Sequence, residues 1–487
     1  MVERLKRNWF FNVRADILSG MVVALALIPE AIAFSLIAGV SPMVGLYASF
    51  CIAIIISFAG GRPAMISAAT GAMALVLAPL VRDHGIEYMI AATILTGVIQ
   101  FLLGTFKVAR LMKFIPRAVM IGFVNSLAIL IFMAQVPYFL GKSVMTFVFL
   151  GITLLILIFV PRYVKVVPAP LIAIVVLTIV STVAGVHLQT VGDMGTITKT
   201  LPNLLFPDVP LTLNTLQIIL PYSFALALVG LLESLLTSSI IDDMTDTESD
   251  KNREARGQGI ANFINGFFGG MAGCAMIGQS VINVKSGGRS RLSTLVAGLF
   301  LMFLILVLGD FVVLMPMPVL AGIMIMVCVG TFDWTSFRYL RKAPRGDAFV
   351  MLMTVIIVVA THDLSKGVIA GVILSSIFFV AKVSKLTVTS EKKENKQVFY
   401  VKGQLFFAST QSFEKAFDTS VQEQHIVIDF SDSHIWDDSA VGAIDKIRLK
   451  YAENHNEVTL IGLNDSSQKI LHQLAVIPEN TANSVSS

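Results

Sequence analysis

The sequence is poor in charge: only 14% of its 487 residues are Asp, Glu, Lys or Arg, whereas soluble globular domains average about a quarter. Apolar residues make up 55% of the chain, and the mean hydropathy is +0.79. This composition excludes a wholly soluble protein and predicts one that lies largely in a lipid bilayer.

Cysteines and catalytic patterns are scarce too. Cys51, Cys274 and Cys328 lie in apolar segments at unrelated spacings, which is typical of small buried side chains rather than of a disulfide framework or a metal site. The sequence has no nucleotide-binding loop, metal-ligand cluster or nucleophile triad. We therefore expect no enzyme, no cofactor, no structural metal and no nucleic-acid partner.

The N-terminus lacks the pattern of a removable signal peptide. Arg4, Lys6 and Arg7 precede an apolar run, but that run continues into further apolar segments, and no small-residue cleavage site follows it. We expect no cleavage there.

The chain does have a succession of long apolar stretches, from about Phe11 to Val380. Divided at charged, Pro and Gly clusters, they give about fourteen segments, several of them shorter than the ~20 residues that cross a bilayer as a helix. The segments begin near residues 15, 43, 66, 89, 116, 145, 168, 216, 257, 277, 292, 312, 347 and 367.

Positive charge is distributed unevenly between the connections. With the N-terminus inside, 21 of the 25 Lys and Arg residues up to Val380 fall on the cytoplasmic side, which is the bias that orients membrane proteins. We predict a multi-pass protein of the cell membrane with both termini cytoplasmic. The four residues on the other side are Arg82, Lys142, Lys199 and Lys366.

Seven segments lie on each side of the longest non-cytoplasmic connection, roughly His187 to Asn214. Because seven is odd, the second group starts on the opposite side of the membrane, as in an inverted repeat. A short internal sequence similarity supports this interpretation. Residues 58–61 and 267–270 are similar, and they precede the third and the tenth segment, each the third of its half.

Two segments resemble interrupted helices. Small and polar residues at 67–72 and 273–280 are followed by Arg82 and Lys285 before the chain has enough apolar residues for a full span. Each is predicted to be a half-helix preceded by extended backbone. Broken helices in matching positions of two repeats mark a transport site.

A helix N-terminus offers unpaired N–H groups and about half a positive charge, which stabilises an anion by roughly 0.3–2 kcal/mol. Two facing N-termini, near Thr70 and Gly278, would hold one small inorganic anion without a cationic side chain. The alternative is that the small residues only allow close helix packing.

Glu30 and Glu233 are carboxylates in apolar helical segments, where a charge costs about 2.5–3.5 kcal/mol on insertion scales. Glu233 and Thr237 share a helix face at i, i+4, so they could bind Na⁺ together, or Glu233 could bind H⁺. The alternative is a carboxyl group hydrogen-bonded to a neighbouring helix. A solvated loop is expected for four further acidic residues: Asp242, Asp243, Asp246 and Glu248.

The residues around Glu30, at 29–34, 38–42 and 45–47, resemble the first-helix signature of the sulfate permease family. The resemblance implies an all-α polytopic membrane domain of about fourteen helices in a seven-plus-seven inverted repeat, with a core domain moving against a gate domain, and a homodimer. It places the anion between the third and tenth half-helices. Further similar stretches follow in the family's order, at 116–123, 252–262 and 283–290.

The family motifs predict which residues contact the anion. Glu233 matches an acidic position of the eighth helix, whereas Gln279 stands where many members have Arg, and Glu30 where many have Gln. Both differences make the pocket less positive. The predicted anion-binding residues are Ala69, Thr70, Gly71 and Ala72 on one side and Met276, Ile277, Gly278 and Gln279 on the other.

Two ionised carboxylates would repel a doubly negative sulfate. We therefore predict a secondary active transporter of sulfate or bicarbonate that works by alternating access, as a symporter with H⁺ or Na⁺ as the coupling ion bound at Glu233, Thr237 and Glu30. An uncoupled anion channel, and an anion sensor that signals through the C-terminal region, remain alternatives.

The C-terminal region is more polar and has no stretch that would span a bilayer. We predict a transmembrane anion transport domain over 1–385, with repeats at about 15–187 and 215–381, and a cytoplasmic α/β domain with a short polar tail over 386–487. Strands are expected at 398–401, 425–430 and 458–461, and helices at 410–418 and 439–451.

This region looks like a STAS domain. Residues 436–442 resemble the loop and helix start that carry a phosphorylatable serine, here Ser439, and the resemblance implies a cytoplasmic regulatory protein as a partner. The alternative is that Asp438 or Ser439 is a plain helix N-cap.

Overall fold

The structure is a computed structural model, and it describes residues 8–108, 115–164, 167–210, 212–393, 396–421 and 425–476. Arg4, Lys6, Arg7 and the expected polar tail at the C-terminus lie outside the described residues. The chain divides into two compact units, one up to Val372 and one from Ile373. The domain boundary at 385 stays a prediction.

The helices match the segments expected from the sequence. The largest difference is at the ninth helix, expected near 257 but beginning at Lys251. The described helices up to Val383 are α1 (Val13–Ala38), α2 (Pro42–Ala59), α3 (Gly71–His84), α4 (Ile86–Thr105), α5 (Arg117–Gln135), α6 (Val144–Tyr163), α7 (Ala169–Val183), α8 (Leu213–Thr245), α9 (Lys251–Phe267), α10 (Ile277–Lys285), α11 (Arg291–Val313), α12 (Met317–Thr331), α13 (Arg345–Thr361) and α14 (Leu364–Val383), with a short helix, Ser336–Lys342, after α12.

Nine helical stretches in the described part of the chain are long and apolar enough to cross a membrane. By contrast, α3 has 14 residues and α10 has 9, which is too short for a span. The protein is therefore a multi-pass membrane protein that contains two half-helices.

The helices pack in two groups, α1–α4 with α8–α11 and α5–α7 with α12 and α13. Most of the helix–helix contacts are also made by the counterpart helices, seven helices earlier or later in the chain. Thus α4 packs on α8 and α9 as α11 packs on α1 and α2, and α5 packs on α13 as α12 packs on α6. This symmetry is the one that a seven-plus-seven repeat produces.

Close backbone contact joins α4 to α9. A Cβ atom on Gly97 would lie 2.6 Å from the carbonyl oxygen of Gly259, and one on Gly259 would lie 2.7 Å from the carbonyl oxygen of Gly97. Neither position has room for a side chain, so the two glycines allow the helices to approach closely.

The second unit contains a four-stranded sheet in the order β3 (Thr387–Lys393), β4 (Lys396–Leu405), β5 (His425–Ile435) and β6 (Glu457–Ile461), after two short strands in the first unit. β3 and β4 are antiparallel, and the other pairs are parallel. The helices are α15 (Thr410–Lys415), α16 (Asp438–Glu453) and α17 (Asp465–Leu474). This confirms the expected α/β domain, although the sequence reading missed β3 and α17.

The start of α16 differs from the expectation that Asp438 or Ser439 caps it. The N-cap is Asp437, whose carboxylate accepts hydrogen bonds from the amide of Ala440 at 2.9 Å and from the amide of Phe407 at 2.7 Å. The helix therefore starts one residue earlier than a cap at Asp438 would allow, and Ser439 is exposed within the first turn.

Candidate functional site

Two buried three-residue strands lie in the first group of helices. β1 (Ser67–Ala69) and β2 (Gly273–Ala275) are antiparallel, with Ser67 opposite Ala275 and Ala69 opposite Gly273. β1 is followed by α3 and β2 by α10. Because the ladder is only about 7 Å long, it brings the N-termini of the two half-helices close together, as the sequence predicted.

The N-terminus of α3 is covered. Thr70 is its N-cap, and its hydroxyl accepts a long hydrogen bond of 3.5 Å from the amide of Met73. A Cβ atom on Gly71 would lie 2.7 Å from Ile131 Cδ1 and 2.9 Å from Phe34 Cε1. Side chains from α1 and α5 thus pack directly over this end of the helix.

The N-terminus of α10 is open. Met276 occupies the N-cap position but provides no side-chain hydrogen bond to the first turn. Gly278 is exposed, and a Cβ atom there would have no neighbour within 4 Å. The amides of this turn are therefore accessible to a small anion from that space.

Glu30 and Gln279 are in contact. The Gln279 amide donates a hydrogen bond of 2.8 Å from Nε2 to Glu30 Oε1. Gln279 is buried, and its Oε1 atom has no partner among the described residues. Glu30 of α1 thus lies beside the open N-terminus of α10, and among the described residues no lysine or arginine pairs with it.

Glu233 is buried next to both strands. Its Oε2 atom accepts a hydrogen bond from Cys274 Sγ at 3.0 Å, and the same sulfur is 3.2 Å from Thr70 Oγ1. The Thr237 hydroxyl donates to the main-chain oxygen of Glu233 at 2.7 Å. Thr237 therefore lies on the expected helix face, but its hydroxyl is engaged with its own helix.

The predicted site residues fall into two clusters. Ala69, Thr70, Gly71 and Ala72 are buried around the covered N-terminus, where Glu233 joins them through Cys274. Met276, Ile277, Gly278 and Gln279 surround the open N-terminus, with Glu30 beside them. Within the described residues, no group of three or more His, Cys, Asp or Glu is arranged to hold a metal ion.

Sequence reasoning missed Asn262, which holds β2 in place. Its side chain donates to the carbonyl of Gly273 and accepts from the amide of the same residue, both at 2.9 Å, and also donates to Gln100 Oε1. Another residue of α9, Gln258, donates to Ser67 Oγ of β1 at 2.7 Å. These contacts attach both strands to α9.

A signal for these contacts was present in the sequence. Glu254, Gln258 and Asn262 are spaced four apart, which places three polar side chains on one face of a helix. All three are buried. A buried polar stripe inside a membrane helix indicates partners on irregular backbone.

The acidic residues near the end of α8 were expected in a solvated loop, and the loop is wrong for Asp242 and Asp243, which lie within α8. Asp243 is exposed, as expected, whereas Asp242 pairs with Arg62 at 3.3 Å and with Lys251 at 2.7 Å. These two cations neutralise a carboxylate in the last turns of the helix.

A profile described as the sulfate permease family matches residues 13–146 and 142–354, and a STAS domain profile matches residues 387–486. "Putative sulfate transporter YbaR" of Bacillus subtilis (strain 168) is 61% identical over 472 residues, which cover 97% of this chain and 99% of the relative. The chain belongs to the sulfate permease family.

The chain is also similar to a bicarbonate transporter and to a solved structure. "Bicarbonate transporter BicA" of Picosynechococcus sp. (strain ATCC 27264 / PCC 7002 / PR-6) is 28% identical over 77% of this chain and 72% of its own length. The inward-facing structure of murine Solute Carrier 26 family member A9, an anion transporter, superposes with a TM-score of 0.82 at 18% identity, covering 96% of this chain and 87% of that one. The latter likeness shows the fold, a mostly helical membrane domain with a C-terminal STAS domain.

Proposed function

We propose that this sulfate permease family member is a secondary active transporter of a small inorganic anion, sulfate or bicarbonate. The observation that carries the proposal is the antiparallel pairing of β1 and β2, because it places two half-helix N-termini at the two ends of one short buried ladder. The names of the relatives, one for sulfate and one for bicarbonate, support these two anions.

The pocket's charges favour coupling to a cation. Glu30 and Glu233 both lie beside the half-helices, and neither has a cationic partner among the described residues. Two ionised carboxylates would oppose binding of a divalent anion. We propose that H⁺ or Na⁺ binds first, at Glu233 with Thr237 or at Glu30, and that anion and cation then move together by alternating access.

The arrangement of the helices supports such movement. Among the helices that contribute to the half-helix site, α1, α3, α8 and α10 belong to the first packing group, whereas Ile131, which covers Gly71, lies on α5 of the second. A shift of one group against the other would move Ile131 away from the N-terminus of α3 and leave Phe34 of α1 in place. The two groups correspond to the proposed core and gate domains.

The test is uptake of radiolabelled sulfate and bicarbonate into proteoliposomes, each with and without Na⁺ and at two pH values. Saturable uptake that accelerates with one cation gradient supports symport. Large unitary currents would instead identify an anion channel. Deletion of residues after Lys385 that abolishes a cellular response while sparing anion binding would identify a sensor.

We further propose a homodimer with both termini cytoplasmic and a STAS domain that engages a regulatory protein through phosphorylation of Ser439. The exposure of Ser439 supports the last point, because a kinase needs access to the hydroxyl. Labelling by a membrane-impermeant thiol reagent of Arg82→Cys but not Arg338→Cys in intact cells tests the orientation. Mass photometry of the purified protein tests the dimer.

A further inference from the structure

A second charged cavity lies outside the two half-helix N-termini. It has a volume of about 450 Å³ and is formed where the ends of α2 and α8 meet the start of α9 and the connection between α10 and α11. Its lining includes four arginines and two acidic residues: Arg62, Arg253, Arg289, Arg291, Glu248 and Asp250.

Arg62 is a buried cation of the cavity. Its side chain is 6% exposed, and it donates to Thr247 Oγ1 at 2.8 Å and pairs with Asp242 at 3.3 Å. Its Nε atom is buried without a hydrogen-bond partner. A buried guanidinium N–H without an acceptor costs free energy.

The other three arginines use part of their donors on main-chain carbonyls. Arg253 bonds to the oxygens of Phe58 and Ala59, and Arg291 to those of Ser57 and Gly60. Arg289 bonds to the carbonyl of Val284 at the end of α10 and to that of Gly288. These oxygens are neutral, and among the described residues none of the three guanidinium groups forms an ion pair with a carboxylate.

The acidic lining does not balance this charge. Asp250 accepts a hydrogen bond from the main-chain amide of Arg253 at 2.9 Å, as the N-cap of α9. Glu248 is exposed. Asp242, outside the lining, neutralises Arg62, which leaves Arg253, Arg289 and Arg291 against the two carboxylates of the lining. Guanidinium groups bind phosphate oxygens in pairs.

The cavity borders an apolar surface. Phe11 lines it and is 64% exposed. Phe58, 57% exposed, packs against Trp9 in a tilted arrangement with ring centroids 4.9 Å apart. Because Trp is enriched at the level of the lipid headgroups, Trp9 supports a position at which a lipid phosphate can reach the arginines, as can a phosphate from water.

We propose that this arginine-lined cavity binds a phosphate group, supplied by an anionic lipid headgroup or by free inorganic phosphate. The site is independent of the proposed transport function. Each lost charge-assisted hydrogen bond is worth about 1.5–3 kcal/mol, which is roughly tenfold or more in affinity.

The test titrates purified full-length protein in detergent with inorganic phosphate, phosphatidylglycerol or phosphatidylcholine and follows the unfolding temperature. The wild type should be stabilised by phosphatidylglycerol, by phosphate or by both, and more weakly by phosphatidylcholine. The double variant Arg253→Gln/Arg289→Gln loses two such donors and should bind about a hundredfold more weakly. Stabilisation by phosphatidylglycerol alone identifies a lipid headgroup, and stabilisation by phosphate identifies a free anion.

Matched variants keep the result decisive. Arg338→Gln removes an exposed arginine of the short helix before α13, away from the cavity lining, and should bind like the wild type. Glu248→Gln keeps every arginine and should bind several times more tightly, so it tests the site even if the double variant fails to fold. Absence of stabilisation by either ligand, an equal loss in Arg338→Gln, or no gain in Glu248→Gln overturns the proposal.

Discussion

Gln279 and Glu30 are joined by a hydrogen bond of 2.8 Å from Gln279 Nε2 to Glu30 Oε1. The contact links the open N-terminus of α10 to α1. Because glutamine is neutral, it orients the carboxylate without cancelling its charge, whereas an arginine at this position would do both. With glutamine at position 279, the charge of Glu30 is not cancelled, and this is the reason for the proposed need for a cation.

Gln279→Arg should make sulfate transport less dependent on a cation. The guanidinium would pair with Glu30 and add one positive charge next to the half-helix N-terminus. We expect the KM for sulfate to fall about tenfold, equivalent to about 1.4 kcal/mol, in uptake assays without a cation gradient. Gln279→Leu removes the hydrogen bond without adding charge, so equal behaviour of the two variants contradicts this explanation.

The two helix-start glycines should respond differently to alanine. Gly278→Ala meets no neighbour within 4 Å, so thermal stability should stay within about 0.5 kcal/mol, while the methyl group obstructs the N–H groups and raises the KM severalfold. Gly71→Ala collides with Ile131 and Phe34 and should destabilise the protein by about 1–3 kcal/mol. An unchanged KM in Gly278→Ala would argue against an anion site at α10.

Cys274 should act as a hydrogen-bond donor and not only as a small apolar residue. Cys274→Ala leaves the buried Glu233 oxygen without its donor and should destabilise the protein by about 1–3 kcal/mol, whereas Cys274→Ser should restore most of that loss. Cys328, buried in α12, provides the control. At position 274 the Ser variant should have a higher unfolding temperature than the Ala variant. At position 328 the Ser variant should unfold at the same temperature as the Ala variant or lower. A higher unfolding temperature of the Ser variant at both positions would refute the donor role.

Asp437 and not Ser439 should hold the start of α16. Asp437→Ala removes acceptors from the amides of Ala440 and Phe407 and should cost about 0.5–2 kcal/mol of local stability. Hydrogen exchange of these two amides in the full-length protein should accelerate accordingly. Ser439→Ala should leave both amides unchanged, and an equal acceleration would show that Ser439 takes part in the cap.

The sequence predicts the membrane helices well because each needs a long apolar run, and it predicts the half-helices because their runs are too short. It placed α9 too late because the charged residues Lys251, Arg253 and Glu254 precede the apolar pattern. Glu254 is nevertheless buried, where it accepts hydrogen bonds from two main-chain amides after α2. Hydropathy alone does not distinguish a buried polar side chain from an exposed one.

Long-range contacts were beyond the sequence. Gln279 and Glu30 are 249 residues apart, and no local pattern indicates that they meet. Cys274 has an apolar neighbourhood in the sequence, which conceals its contacts with Glu233 and Thr70. The charged end of α8 was assigned to a loop because its partners, Arg62 and Lys251, come from other segments.

The most direct test of cation-coupled anion transport is uptake of radiolabelled sulfate or bicarbonate by Glu233→Gln in proteoliposomes under an imposed Na⁺ or H⁺ gradient. Glu248→Gln, an exposed acidic residue outside the half-helix site, is the control. We predict that the gradient stimulates the wild type and Glu248→Gln but no longer stimulates Glu233→Gln, which still binds the anion. Full stimulation of uptake in Glu233→Gln would contradict the coupling role of this carboxyl group.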